Sequence, residues 1–167
     1  MTEFVLIVYL FTVVCVFGAI GMIVRKWIHR IRTRISFEQS LKKSELIIIP
    51  LYNNGKKLNF VVDSGSTCNI INASVVDKLN ILQEDVDASK IESISIAGDT
   101  RANNVVSMML EAKAENFFET FFVMDMDAAF RWSSSEYGEQ VHGILGCDFL
   151  TRYGKVIDFD KYIIYTK

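Results

Sequence analysis

Residues Phe4 to Val24 (FVLIVYLFTVVCVFGAIGMIV) carry no charge, and no other feature so constrains what this chain can fold into. A helix of about 20 apolar residues is long enough to cross the hydrocarbon core of a bilayer. A helix apolar on every side must be wholly covered by protein or by lipid. In a chain of 167 residues there is too little remaining sequence to cover it. Arg25, Lys26, Arg30, Arg32 and Arg34 follow directly, with Trp27 at interfacial depth, and only Glu3 precedes. A cleaved signal peptide has its basic residues first, a shorter apolar run and a small-residue cleavage site. The segment is therefore predicted to be a single transmembrane anchor, about residues 4–24, in an N-terminal unit 1–34. The positive-inside rule places the basic flank, and everything after it, on the cytoplasmic side of a single-pass membrane protein.

Charge divides the chain at the same place. Residues 1–34 hold five Lys and Arg and one acid, whereas residues 35–167 hold 13 Lys and Arg and 19 acids. The average, half apolar with mean hydropathy +0.24, describes neither part. One proline and nine glycines exclude a collagenous or proline-rich chain. A net charge of −2 argues against nucleic acid as a partner. Three scattered cysteines form no disulfide framework, which suits a reducing compartment.

The soluble part reads as mostly strand. Residues 35–43 (ISFEQSLKK) look like a short amphipathic linker, and 44–167 like one all-β domain. Two β-rich runs flank Asn53-Asn54-Gly55, a hairpin signal. Asn72 is placed to cap a short helix, Ala73 to Leu79, with Val75, Val76 and Leu79 inward. Period-two runs at 91–98, 103–110 and 116–125 predict further strands, and 125–140 reads as an irregular loop. A buried strand at VHGILG, one or two helical turns at CDFLTRY and a closing hairpin complete the chain.

Chemistry concentrates at Asp63-Ser64-Gly65-Ser66-Thr67. An acid follows two inward apolar residues, Val61 and Val62, at a strand end. Gly65 permits a tight turn, and Ser64, Ser66 and Thr67 supply hydroxyls able to hold a carboxylate. An ordinary Asx-type turn at a strand end accounts for the pentapeptide equally well. Some 80 residues later comes Gly143-Ile144-Leu145-Gly146, followed by Cys147-Asp148-Phe149-Leu150. Here an apolar strand ends at a glycine that opens a helix and permits close approach of a neighbouring loop. A plain buried strand followed by a helix cap has the same pattern.

Taken in order, VVDSGST and GILGCDFL resemble the two motifs of the retropepsin-like aspartic proteases. The resemblance covers about residues 44–167 and leaves the anchor outside. It implies a single-lobe acid-protease β-barrel with one or two short helices. It implies Asp63 as the catalytic carboxylate, with no cofactor and no metal. Ser64 would brace two loops across a dimer, Gly65 would let the backbone turn, and Ser66 would contact Asp63. Pepsin-like enzymes carry two Asp-(Ser/Thr)-Gly motifs in one chain, and this chain has one. The resemblance thus implies a homodimer that contributes Asp63 twice and cleaves extended peptides or proteins.

A flap is expected in the hairpin from Ile94 to Val105, with its tip at Ala97-Gly98-Asp99-Thr100, where an ordinary exposed hairpin is the other reading. Cys68, His142 and Cys147 match no zinc spacing. The aromatic FFETFF run reads as core, and Trp132 as core or pocket lining. Two functions follow from the sequence: a membrane-anchored aspartic endopeptidase, or a catalytically inactive module of the same fold used for dimerisation or peptide binding.

Overall fold

A computed structural model of the chain describes residues 2–85, 104–136, 138 and 140–167. It comprises two units, Met1–Arg32 and Thr33–Lys167. The first is one helix, α1 (Thr2–Arg32), of 31 residues, a rod of about 46 Å at 1.5 Å per residue. Its stretch from Val8 to His29 is long and apolar enough to cross a membrane.

The second unit runs β1 (Ile35–Ser36), α2 (Glu38–Ser44), β2 (Ile48–Asn53), β3 (Lys56–Val62), β4 (Ile70–Asn72), α3 (Ala73–Leu79), β5 (Glu84–Asp85), β6 (Asn104–Ala112), β7 (Glu115–Met124), α4 (Asp127–Glu136), β8 (Gly143–Leu145), α5 (Cys147–Arg152), β9 (Lys155–Asp158) and β10 (Ile163–Thr166). One sheet has the order β2-β3-β8-β4-β7-β6-β5. Tyr52 of β2 also pairs with Glu111 of β6, which closes six strands into a barrel and leaves β5 outside the ring. Closure removes the unpaired edges that an open sheet of this length would expose.

Local sequence explains the barrel wall. Asn54 (φ 48°) and Gly55 (φ 76°) both take left-handed backbone in the two-residue turn between β2 and β3, the combination that matches strand twist. The period-two pattern of β6 and β7 sends Val106, Met108 and Leu110 inward opposite Phe121, Glu119 and Phe117. Phe60 and Phe121 stack in the core with ring centroids 5.5 Å apart.

Several expectations are corrected. Residues 35–43 are not a loose linker: Ile35 pairs with Ile164, and Phe37 is buried with its ring edge-on to Phe159 and Tyr162. Amphipathic spacing in so short a segment has no signature that separates a linker from a packed edge. The 125–140 loop holds α4. Its three serines weaken helix propensity, yet Phe130 packs with Ile48 and Val141, and Ser133 Oγ accepts the Val141 N–H at 3.0 Å. Tertiary packing supplies what local propensity lacks. Asn72 does precede α3, but its side chain makes no cap; it donates to Asp127 Oδ1 at 2.7 Å and accepts the Met126 N–H at 3.1 Å. The flap tip at 97–100 lies outside the described residues, as does the side chain of Trp132.

β1, β10 and β9 form a second, three-stranded sheet. Lys155 of β9 is tied to the barrel: its Nζ donates to Glu115 Oε2 at 2.7 Å and lies 4.5 Å from the centre of the Phe117 ring.

Candidate active site

β3 and β8 are neighbours and run parallel, with Phe60, Val61 and Val62 opposite Gly143, Ile144 and Leu145. The two motifs therefore leave the barrel side by side, Asp63 just past one strand and Gly146 just past the other. On the far side of β8 lies β4, antiparallel, with Ile70 opposite Ile144. Two loops some eighty residues apart in sequence are thus brought to one end of the barrel.

Hydrogen bonds sew the two loops together. Asp63 N–H donates to Leu145 O at 3.0 Å, and Cys147 N–H to Ser66 O at 2.7 Å. The Cys147 thiol donates to Ser64 O at 3.0 Å. Gly146 lies so close that a Cβ on it would stand 2.4 Å from Cys68 O and 2.7 Å from Ser66 O. Gly143 is equally confined, with Ile70 O 2.4 Å from where its Cβ would be.

Asp63 is half-buried, and its Oδ1 accepts the Gly65 N–H at 2.8 Å. The expected Ser66 contact is absent from the carboxylate. Ser66 is buried, its hydroxyl donates to Cys68 O at 2.9 Å, and only its backbone N–H reaches Asp63, at the carbonyl. A backbone amide thus holds the carboxylate where a hydroxyl was expected. Gly65 matters for space more than for conformation. Its φ is not positive, but a Cβ there would come 3.1 Å from Asp63 Oδ1. Ser64 and Thr67 are exposed.

Two bracing residues escape the sequence reading. Asn69 Oδ1 accepts the Gly146 N–H at 3.0 Å, and Asn69 Nδ2 donates to Glu119 Oε2 at 2.6 Å. Glu119 is fully buried, and Arg152 reaches its other oxygen at 3.4 Å. Burial pushes the Glu119 carboxyl above its ordinary range, against the pull of Tyr153 and Arg152. Alternation places Glu119 on the same inward face as Phe117 and Phe121, but it names no partner for the acid. His142 and Cys147 turn to different partners, His142 Nδ1 accepting the Asn59 N–H at 2.9 Å. Burial raises the Cys68 thiol above its ordinary value.

A family model described as aspartyl protease matches residues 49–149, a span that holds both loops. The chain belongs to the retropepsin-like aspartyl proteases. Its barrel is similar to the retroviral protease-like domain of Ddi1 from Leishmania major. That match has a TM-score of 0.52 and 16% identity, covering 73% of this chain and 88% of that one. A retropepsin-like aspartic protease from Rickettsia conorii aligns at TM-score 0.46 and 17% identity, over 80% and 87% of the two chains. The EIAV protease complexed with the inhibitor HBY-793 aligns at 0.49 and 14%, over 66% and 90%. No curated protein sequence matches the chain. Within this family the fold is a closed single-lobe barrel, and Asp63 stands where β3 leaves it.

Proposed function

We propose that this protease-family chain is an aspartic endopeptidase that works as a homodimer, with Asp63 of each copy forming the catalytic pair. The observation that carries the reading is the Asp63 carboxylate, held by the Gly65 amide on a loop stitched to the glycine-bounded β8. One chain offers one Asp-Ser-Gly, so two copies related by a two-fold axis complete the site.

Two carboxylates at close range cannot both ionise, so the pair shares one proton and titrates as a unit. The ionised member takes a proton from water as its oxygen attacks the peptide carbonyl carbon. The protonated member gives its proton to the carbonyl oxygen. As the tetrahedral intermediate collapses, one of its hydroxyls gives its proton to the carboxylate now ionised, the other carboxyl gives its proton to the leaving nitrogen, the C–N bond breaks, and the pair again shares one proton. Ser64 faces solvent at the mouth of the loop, where it can brace a partner loop. The segment 97–100 is the proposed flap.

The helix α1 is proposed as the anchor. Tyr9, Phe11 and Phe17 are exposed on it, and lipid would cover them. Its basic flank favours a cytoplasmic barrel, and tethering raises the local concentration of subunits.

The test is cleavage of a peptide library across pH by the full chain in nanodiscs, with pepstatin as inhibitor. Asp63→Asn should abolish cleavage and leave dimerisation intact. Adding Asp63→Asn chains to wild type should lower activity per wild-type chain in proportion to the wild-type fraction. Cleavage that persists in Asp63→Asn refutes the mechanism, and activity per wild-type chain that ignores the mixing ratio refutes the dimer. Resistance of the chain to carbonate extraction checks the anchor.

A further inference from the structure

The barrel carries a concavity at the opposite end of β3 from Asp63. It is a groove of about 840 Å³ between α3, α4 and the start of β3. Small-molecule sites commonly fall within roughly 300–1,000 Å³. Its lining begins at Lys56, and the seven residues of β3 separate that end from Asp63, about 20 Å at strand rise.

The floor is apolar: Leu58, Val75 and Phe130 line it and are buried. Above that floor stand Lys56, Lys78 and Arg131, all exposed, with Lys57 beside them. Among the described residues of the lining the carboxylate is Asp127, whose Oδ1 accepts from Asn72 Nδ2 at 2.7 Å and from Ser74 Oγ at 3.0 Å. Those two bonds also fix the start of α4 against α3, so the groove's walls are held by side chains and not left to packing alone. Among the described residues, three exposed cations (Lys56, Lys78 and Arg131) over one engaged carboxylate would be unremarkable on a basic protein. Residues 35–167, however, hold 13 Lys and Arg against 19 acids. A cationic concavity on an acidic domain concentrates anions from solution.

We infer that this groove binds an organic phosphate, its phosphate group on Lys56, Lys78 and Arg131 and its apolar body on the Leu58, Val75 and Phe130 floor. Arg131 offers a planar fork that suits phosphate oxygens, and the lysines add point charges. A lipid headgroup and a free phosphorylated metabolite present the same chemistry. The site is independent of Asp63 and of the proposed activity.

The experiment is calorimetric titration of the full chain in neutral detergent with three probes. They are inorganic pyrophosphate, dioctanoyl phosphatidylinositol 4,5-bisphosphate and dioctanoyl phosphatidylcholine. Saturable binding of pyrophosphate and of the bisphosphate lipid, but not of phosphatidylcholine, is expected. Binding of the bisphosphate lipid with none of pyrophosphate assigns the groove to a lipid headgroup, whereas equal affinity for both assigns it to phosphate as such. The double variant Lys78→Glu, Arg131→Glu should weaken binding by about tenfold or more, and rising salt should weaken it in the wild type. Both residues are exposed, so the variant should keep the wild-type circular dichroism. A variant with Arg25→Gln and Arg32→Gln in the basic flank should bind as the wild type does. The proposal is overturned if no phosphate probe binds, or if the flank variant loses binding while the groove variant keeps it.

Discussion

Substituting alanine for Gly146 tests whether the two loops are joined as closely as the structure shows. The backbone of Gly146 has φ −89°, which alanine adopts without strain, so any penalty is steric. Its new Cβ would lie 2.4 Å from Cys68 O and 2.7 Å from Ser66 O, where ordinary contact begins near 3.4 Å. Both neighbours are backbone atoms and cannot rotate away, so residues 66–68 of the loop must move by about 1 Å. Overpacking of that kind costs about 1–3 kcal/mol. The Cys147 N–H to Ser66 O bond at 2.7 Å would be lost with it, adding about 1 kcal/mol. A total near 3 kcal/mol is a large share of a typical domain's about 5–15 kcal/mol. For a barrel of this size it lowers the melting temperature by about 10 °C. Near-ultraviolet circular dichroism of the full chain in detergent follows the melt through the packed barrel aromatics, Phe60, Phe117, Phe121 and Tyr153. Gly65→Ala is the companion. There the close atom is Asp63 Oδ1, at 3.1 Å, and a side chain can turn. Gly65→Ala should cost under about 1 kcal/mol but swing the carboxylate off its amide, so peptide cleavage falls by about tenfold or more. A Gly146→Ala protein that melts within about 2 °C of wild type refutes the geometry. So does a Gly65→Ala protein that loses stability more than activity.

Phe37→Ala should destabilise the barrel by about 3–5 kcal/mol, because the ring is buried against Phe159 and Tyr162; an unchanged urea midpoint would return residues 35–43 to linker status. Glu119 should make stability fall as pH rises. Its folded pKa lies above the ordinary 4.5, so between 4.5 and the raised value the folded state binds more protons than the unfolded one. Glu119→Gln removes that term, and its stability relative to wild type should improve from pH 4.5 upward; a difference independent of pH contradicts the burial argument. Lys155→Ala should cost about 3–5 kcal/mol by leaving the largely buried Glu115 with the Thr166 hydroxyl but no cation, and Lys155→Ala with Glu115→Ala together should cost less than the sum. Alkylation of Cys147 should block cleavage by displacing Ser64 O; Cys147→Ser keeps a donor there and should be active and resistant to the reagent.

Local chemistry determined much of this protein by itself. The uncharged run to Val24 and its basic flank mark out α1, because length and charge asymmetry need no partner to be read. Asn54-Gly55 sets the first hairpin, because few residues accept left-handed backbone twice in succession. Alternation sets β6 and β7, and the pair of motifs, one ending in Asp63 and the other in Gly146, picks out the family. What the tertiary structure decided is everything carried by distance. Parallel pairing of β3 with β8 brings Asp63 beside Gly146. Only that adjacency shows that Gly146 is confined by Cys68 and Ser66 and that a backbone amide, not the Ser66 hydroxyl, holds the carboxylate. The bracing by Asn69 and Glu119 was hidden for the same reason, since a buried acid inside an aromatic strand has meaning only once its partners are in place. α4 was missed because its serines argue against helix locally, while Phe130 finds its reason to be helical in Val141 and in Ile48, the latter far away in sequence. Composition and periodicity register what a residue does to its neighbours along the chain; they carry no record of contacts made across fifty or eighty residues.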